Sequence, residues 1–261
     1  MSLRQIIDII ESAAPLKWQE EWDNSGLQVG EPDAEIRAVL LAVDVTEQVV
    51  EEAVRRGCDL IVSHHPLLFR GLKSITGATP QERCVIAAIR HNIAVYSSHT
   101  AMDSWLHGVS GEMAARCGVG NCRILVPAHA QPGEEEHGLG VIGTLEEPME
   151  FADFLQRIKR VFGATQLLYT QPAHGGMIRT AAFCGGAGSG FTDDAVAQGA
   201  DVYVTADCKY HEMQVAVGRI ALVSLDHWVS EHFVRDIFMQ LLRDVVPVFV
   251  AETDSTPVAA L

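Results

Sequence analysis

Short apolar runs alternate with helical segments between residues 38 and 103, and this alternation restricts the fold more than any other feature of the sequence. The apolar runs have the length of buried strands, and the segments between them carry apolar residues at helical spacing. A β-α-β-α-β order is typical of a parallel sheet, because parallel strands need a crossover connection. The chain is therefore predicted to have an α/β fold. The predicted strands are 38–43, 59–62 and 93–96, and the predicted helices are 46–57 and 81–91.

The same pattern recurs near the end of the chain. Residues 180–205 align with residues 38–63 without a gap, and residues 220–222 resemble residues 93–95. A shared β-α-β order alone could produce part of this match. We nevertheless predict an internal duplication, with two pseudo-symmetric β-α-β-α-β halves whose equivalent strand ends come together.

A segment with proline, glycine and three consecutive glutamates, residues 127–138, interrupts this pattern. A shorter strand, helix and strand pattern follows it over residues 140–169. We therefore expect a first α/β half, a small α/β middle insertion, and a second α/β half that packs with the first. The expected boundaries are 1–127, 128–178 and 179–261.

The composition limits the possible partners and compartments. The formal net charge of -15 argues against binding to nucleic acid or to an anionic membrane, but it leaves open a small nucleotide substrate held by metal ions. No stretch approaches the roughly 20 apolar residues of a membrane span, and the N-terminus lacks a signal-peptide pattern. The six cysteines are scattered, without a CxxC motif. We therefore predict a cytoplasmic protein without disulfides.

Histidines and acidic residues follow three of the predicted strands. Ligands bind to open α/β sheets outside the carboxyl ends of the strands, so these side chains are expected to meet between the two halves. The spacing of His227 and Glu231 puts both side chains on one face of a helix. The three strand ends supply the pairs His64 and His65, His99 and Asp103, and His227 and Glu231.

These side chains offer only nitrogen and oxygen as ligand atoms. Imidazole combined with carboxylate suits Zn, Mn, Fe, Co or Ni, and the absence of thiolate argues against a soft-metal site. The set exceeds the three protein ligands of a tetrahedral catalytic zinc. We therefore predict two divalent metal ions per subunit, with Glu231 as the bridging carboxylate. Unrelated polar strand ends are the alternative interpretation.

Five motifs occur in order over nearly the whole chain, and they are Trp22–Leu27, Ser63–Phe69, His99–Asp103, Cys184–Gly190, and His227 with Glu231. Together they resemble the GTP cyclohydrolase I type 2 homologue family, also called the Nif-three-like or YbgI-like proteins. The resemblance implies a dinuclear metal site and a toroidal homohexamer, a trimer of dimers, with the sites facing an internal cavity. The implied metal ligands are His64, His65, Asp103, His227 and Glu231.

Two motifs depart from the family's pattern. Leu225 and Asp226 precede His227 where the family usually has glycine, and Ala206 stands in Thr-Ala-Asp where the family usually has Thr-Gly-Asp or Thr-Gly-Glu. Neither departure removes a ligand, but both put the shape of the substrate pocket in question. Asp226 is expected either to accept a hydrogen bond from an imidazole or to be a solvated loop carboxylate.

Other residues are candidates for roles beside the metals. His99 is an outer ligand, a general acid or base, or a residue that supports the ligands, and the last role is preferred. His211 is either a proton donor or substrate contact, or a loop histidine. The glycines at 185–190 either cradle a phosphate or allow a tight turn. Trp18 and Trp22 are expected to anchor the loop at 18–30 by packing, and a binding role is the alternative.

Two functional hypotheses follow from these residues. The first is a metal-dependent hydrolase that acts on a small-molecule substrate, a nucleotide or another phosphoester, with His99 or His211 as the catalytic proton shuttle. The second is a carrier of metal or metallocofactor, or a nucleotide-responsive regulator, without catalysis. A scaffold with incidental metal binding is a third alternative.

Overall fold

A computed structural model describes residues 1–129 and 133–259 of the chain. Two compact units are distinguished by their internal contacts. Unit 1 contains residues 1–102 and 234–255. Unit 2 contains residues 103–233 and the tail from Thr256.

Helices and strands cover most of both units. The helices are α1 (Leu3–Ala13), α2 (Glu47–Arg56), α3 (Pro80–Arg90), α4 (Thr100–Asp103), α5 (Val109–Arg116), α6 (Phe151–Phe162), α7 (Thr192–Ala197), α8 (Tyr210–Ala216), α9 (His227–Glu231) and α10 (Val234–Leu242). The strands are β1 (Gly26–Val29), β2 (Val39–Ala42), β3 (Leu60–Ser63), β4 (Ala94–Ser97), β5 (Val119–Pro127), β6 (Gly138–Glu150), β7 (Leu168–Tyr169), β8 (Met177–Phe183), β9 (Val202–Ala206), β10 (Ala221–Leu225) and β11 (Val248–Val250).

Unit 1 is built on a five-stranded sheet in the order β1-β4-β3-β2-β11. Strands β4, β3, β2 and β11 are parallel, and β1 is antiparallel to β4. Every residue of β2, β3 and β4 is buried, as expected for a parallel sheet that is covered on both faces. The side chain of Thr46 caps α2, and Gly57 ends this helix in the left-handed conformation. The predicted path β2-α2-β3-α3-β4 is therefore confirmed.

Unit 2 is built on a six-stranded mixed sheet in the order β5-β6-β8-β9-β10-β7. Strands β8, β9 and β10 are parallel and are joined by α7 and α8, so the β-α-β-α-β path occurs a second time. One detail is shared by the two paths at matching positions. Asp59, just before β3, accepts a hydrogen bond from the Arg37 amide at 2.9 Å, and Asp201, just before β9, accepts one from the Arg179 amide at 2.9 Å. This repeated contact supports the predicted duplication.

The boundaries of the compact units differ from those expected at residues 127 and 178. Strand β6 of the middle segment pairs with β5 on one side and with β8 on the other, so this segment forms part of the sheet of unit 2. The predicted strand at 166–169 is reduced to β7, which pairs with β10 at the sheet edge. Strands β1, β5 and β11 were not expected from the sequence.

Two expectations about the whole chain can be compared with the structure. All six cysteines are free thiols, as predicted. Within residues 1–129 and 133–259, none of the helices combines the length and the apolar character needed to cross a membrane.

A buried carboxylate attaches the C-terminal segment to α2. Glu52 is 1% exposed, and it accepts hydrogen bonds from the amides of Glu252 and Thr253 and from the Thr253 hydroxyl at 2.6–3.1 Å. It also pairs with Arg56 at 2.8 Å. Burial alone would raise the pKa of Glu52, but these hydrogen bonds and the charge of Arg56 outweigh burial and hold the pKa at about 2.

Replacement of Glu52 is expected to destabilise unit 1. Because Gln presents an N–H group to donors, we expect Glu52→Gln to lower the free energy of unfolding at pH 7 by about 1–3 kcal/mol. The carboxylate stabilises the fold above its ordinary pKa of 4.5, and this stabilisation is lost as the pH falls towards 2. Urea unfolding at pH 7 and pH 3, with the exposed Glu51→Gln variant as control, measures both effects. A difference between wild type and Glu52→Gln that stays constant down to pH 3 would contradict this account.

Candidate metal centre

Three histidines gather at the carboxyl ends of the parallel strands of unit 1. Strand β3 ends at Ser63 and is followed by His64 and His65, and His99 lies just after β4. The hydroxyls of Ser63 and Ser97 are 2.8 Å apart and tie the two strand ends together. Each of the three imidazoles offers a nitrogen within 4.8 Å of the others, so this group could hold a metal ion. These three histidines therefore lie together at the strand ends, as the sequence predicted.

The rings of His64 and His65 are held through Nδ1. Nδ1 of His64 lies 3.0 Å from the carbonyl oxygen of Ser98, and Nδ1 of His65 lies 2.9 Å from Oδ1 of Asp44. A carbonyl oxygen and a carboxylate only accept, so Nδ1 donates in both pairs. The neutral imidazole then has its lone pair on Nε2, which is the nitrogen that can bind a metal.

His99 is held in the same way by a buried carboxylate. Oδ1 of Asp23 lies 2.8 Å from Nδ1 of His99, and Oδ2 accepts from the hydroxyls of Ser25 and Thr100 at 2.8 and 2.6 Å. Burial acts to raise the pKa of Asp23, but the hydrogen bonds from His99, Thr100 and Ser25 outweigh it and hold the pKa well below its usual range. Asp23 is therefore ionised and fixes both the tautomer and the orientation of the His99 ring.

Unit 2 contains a histidine–glutamate pair on α9. Nε2 of His227 lies 3.1 Å from Oε2 of Glu231, one helical turn later, as the i, i+4 spacing predicted. Nδ1 of His227 lies 2.8 Å from Oδ2 of Asp207, which directly follows β9 and has a positive φ of 55°. Glu231 is buried, at 3% exposure. His227 and Glu231 belong to a His/Glu group that could hold a metal ion.

Asp103 and Glu231 both act on the buried thiol of Cys184. Burial, followed by the charge of Asp103 and then that of Glu231, raises the pKa of Cys184 to about 12. This thiol is therefore protonated at neutral pH and is not a thiolate ligand. The charges of both carboxylates that the sequence predicts as ligands thus act on the same thiol within unit 2.

The glycine loop that follows β8 uses several of its amides for hydrogen bonds within the protein. Three of its amides donate to protein hydroxyls, so these three are not presented to a ligand. The donor and acceptor pairs are Gly185 N with Ser110 Oγ at 3.3 Å, Gly186 N with Ser230 Oγ at 3.0 Å, and Gly188 N with Thr205 Oγ1 at 2.9 Å. Of the two predicted roles, the structure supports the tight turn.

The close approach of this loop to Glu231 requires a glycine. Gly186 has a φ of +63°, and a Cβ atom built on it would overlap Oε1 of Glu231. A Cβ on Gly190 would meet nothing within 4 Å, and its φ lies outside the positive region. The loop therefore places Gly186 directly against a predicted metal ligand.

Asp226 and His211 have surroundings that differ from those expected. Asp226 caps α9 through the amide of Val229 at 3.2 Å and accepts from Thr256 at 3.2 Å, so it supports the helix that carries His227. Asp207 makes the imidazole contact that was one of the two roles expected of Asp226. His211 is exposed on α8 with Nδ1 3.1 Å from Gln214. Within the described ranges, His211 belongs to neither of the groups of side chains that could hold a metal ion.

Sequence reasoning missed the three acidic residues that hold the imidazoles, Asp23, Asp44 and Asp207. One signal was present for two of them, because Asp44 and Asp207 follow parallel strands as the histidines do. Asp207 also aligns with His65 in the internal repeat. The expected packing role of Trp22 is not supported, because this side chain is 58% exposed. Trp18, in contrast, is buried as expected.

Substitution of Gly186 is expected to impair metal binding. We expect Gly186→Ala to displace the Glu231 carboxylate and to weaken the affinity for Zn²⁺ by about 10–100-fold, the usual effect of losing a group that orients a ligand. Competition against a chromophoric chelator measures this affinity, and circular dichroism checks the fold. Gly190→Ala is the matched control and should bind as the wild type does. Equal affinities in the two variants would contradict the role of Gly186.

Comparison with known proteins places the chain in a family. A model of the Duf34/NIF3 family, NIF3 standing for NGG1p interacting factor 3, matches residues 1–257. A Streptococcus pneumoniae protein named GTP cyclohydrolase 1 type 2 homolog is 35% identical over 91% of this chain and 89% of its own length. The Drosophila melanogaster NIF3-like protein 1 is 30% identical over 99% of this chain and 89% of its own length.

Solved structures agree with this assignment. The crystal structure of a Staphylococcus aureus hypothetical protein, SA1388, has a TM-score of 0.89 and 26% sequence identity, and the match covers 100% of this chain and 99% of that one. The family model extends over both units and includes every predicted metal ligand. The chain is therefore a member of the Duf34/NIF3 family.

Proposed function

We propose that this protein is a metal-dependent hydrolase with a dinuclear centre that acts on a nucleotide or another phosphoester. The proposed ligands are His64, His65, Asp103, His227 and Glu231, as the sequence resemblance implies. The proposal assigns ligands of unit 1 and of unit 2 to one centre. This part of the proposal rests on the sequence. Bound divalent ions would supply Lewis acidity and would lower the pKa of the attacking water.

The observation that carries the proposal is the fixed orientation of every histidine in the ligand set. His64, His65 and His227 each engage a carbonyl or carboxylate oxygen through Nδ1 at 2.8–3.0 Å. Histidines that ligate metals almost always donate their other N–H to such a group, which fixes the ring and makes the ligating nitrogen more basic. This donor set of imidazole and carboxylate fits Zn, Mn, Fe, Co or Ni.

The Asp23–His99 pair is proposed to move protons for the reaction. His99 lies among the rings of His64 and His65, with ring centroids 5.2 and 5.4 Å away. Asp23 accepts the Nδ1 hydrogen bond of His99, so this ring can accept a proton at Nε2 and return it to a leaving group. His211 stays a prediction as a second proton shuttle or substrate contact.

Two observations favour a small nucleotide as the substrate. The bacterial relatives carry the name GTP cyclohydrolase 1 type 2 homolog, which motivates a nucleotide as the first candidate. The net charge of -15 does not favour a polyanion, so a small nucleotide neutralised by metal ions is the better candidate. The cytoplasmic location and the homohexamer, a trimer of dimers, stay predictions from the sequence.

The proposal is tested by elemental analysis of protein purified without an affinity tag. We expect about two metal ions per chain in the wild type, fewer in Glu231→Ala, and an unchanged number in the exposed control Glu51→Ala. The same preparations are then assayed with GTP and with a generic phosphoester. Turnover that is lost together with the metal supports the hydrolase. A wild type that binds no metal after reloading would contradict the proposal.

A carrier of metal or metallocofactor is the second candidate, and the exposure of one proposed ligand, His227, favours it. The side chains of His227 and its partner Asp207 are 36% and 50% exposed, so a chelator or an acceptor protein could reach this ligand. Exchange of bound Zn²⁺ with a fluorescent chelator within minutes, without turnover of GTP or phosphoesters, would favour the carrier. Metal that is retained for hours under the same chelator would exclude this role.

A further inference from the structure

Two large aromatic side chains are exposed beside the histidines of unit 1. Trp22 is 58% exposed and Phe69 is 43% exposed, and their ring centroids are 5.9 Å apart. The His99 ring lies 5.9 Å from Trp22 and 6.3 Å from Phe69. Exposed rings of this size lose hydrophobic stabilisation, so their position beside an ordered imidazole cluster needs a reason other than packing.

The loops that carry the two rings are fixed by hydrogen bonds. Asp23, next to Trp22, has a fully buried side chain that accepts from Ser25, His99 and Thr100. The loop of Phe69 is attached to the loop of Trp22 through its neighbour Leu68. The side chain of Asn24 donates to the Leu68 carbonyl at 2.6 Å, and the Leu68 amide donates to Gln28 at 3.1 Å. The loops that carry the rings are therefore held in place before any ligand arrives.

We propose that Trp22, with the Phe69 ring tilted by 54° beside it, forms a stacking platform for the planar heteroaromatic ring of a small molecule, such as a nucleobase. Stacking on an aromatic side chain contributes to binding with little dependence on the base. When the ring of a ligand stacks on Trp22, the rest of that ligand lies within reach of His99 and the neighbouring histidines. The inference rests on the proposed function and deepens it, because it favours a nucleotide over a phosphoester without an aromatic ring.

The size and charge of the surroundings favour a small ligand over a macromolecule. A stable protein interface takes about 20–30 residues a side, whereas two side chains form this platform. The net charge of -15 opposes a nucleic-acid strand, which is the other common partner of exposed aromatic rings. A single heterocycle of a small molecule is the occupant that agrees with both observations.

Binding measurements with three probes test the platform. Guanosine, which has no phosphate, is titrated into metal-free protein, and GTP and inorganic tripolyphosphate are titrated into metal-loaded protein. We expect Trp22→Leu to weaken the binding of guanosine and GTP by about 5- to 150-fold, the effect of losing one stacked ring. Phe69→Leu should have a smaller effect of the same kind. Neither variant should change the affinity for tripolyphosphate or the metal content.

The control is Phe249→Leu, which removes another exposed ring of unit 1 and should leave all three affinities unchanged. Guanosine affinity that is the same in Trp22→Leu and wild type would overturn the platform, as would GTP binding no tighter than tripolyphosphate in the wild type. Loss of assembly in Trp22→Leu without loss of guanosine binding would show that a second copy covers the ring. If the platform binds guanosine but the metal-loaded protein hydrolyses nothing, the proposed hydrolase fails and the platform stands.

Discussion

The hydrogen bond at Nδ1 of each imidazole is the interaction on which the site depends. It sets the tautomer, so that Nε2 of His64, His65 and His227 is the nitrogen that could bind a metal ion. The acceptors follow parallel strands, as the histidines do: Ser98 after β4, Asp44 after β2 and Asp207 after β9. In each sheet, the ends of neighbouring parallel strands therefore position both the predicted ligands and the groups that orient them.

Close packing of the backbone complements these hydrogen bonds. Gly186 leaves room for the Glu231 carboxylate, and Ser230 holds the amide of Gly186 from the same helix, α9. The N-terminus of α9 is in turn capped by Asp226. The position of one predicted ligand thus depends on a glycine, a hydroxyl and a helix cap, which explains why a short helix of five residues can hold a buried carboxylate.

The sequence was sufficient to predict the parallel parts of both sheets, because most of their strands are apolar runs, and in unit 1 threonines cap the helices between them. Strand β1 was missed because it is short and mostly half-buried, without the alternation that marks a strand. Residue type and strand-end position predicted His64, His65, His227 and Glu231. The partners of the imidazoles were missed because they are distant in sequence, 21 residues for Asp44 and His65 and 76 residues for Asp23 and His99.

The central claim is that imidazoles held at Nδ1 bind metal through Nε2, and a crystal structure of Zn²⁺-loaded protein tests it most directly. Anomalous difference density collected at the zinc edge locates the ions independently of the refined protein atoms. The account predicts ions bonded to Nε2 of His64, His65 and His227, with Nδ1 of these rings still donating to Ser98, Asp44 and Asp207. Zinc bonded to Nδ1, or zinc density absent from these three histidines, would contradict it.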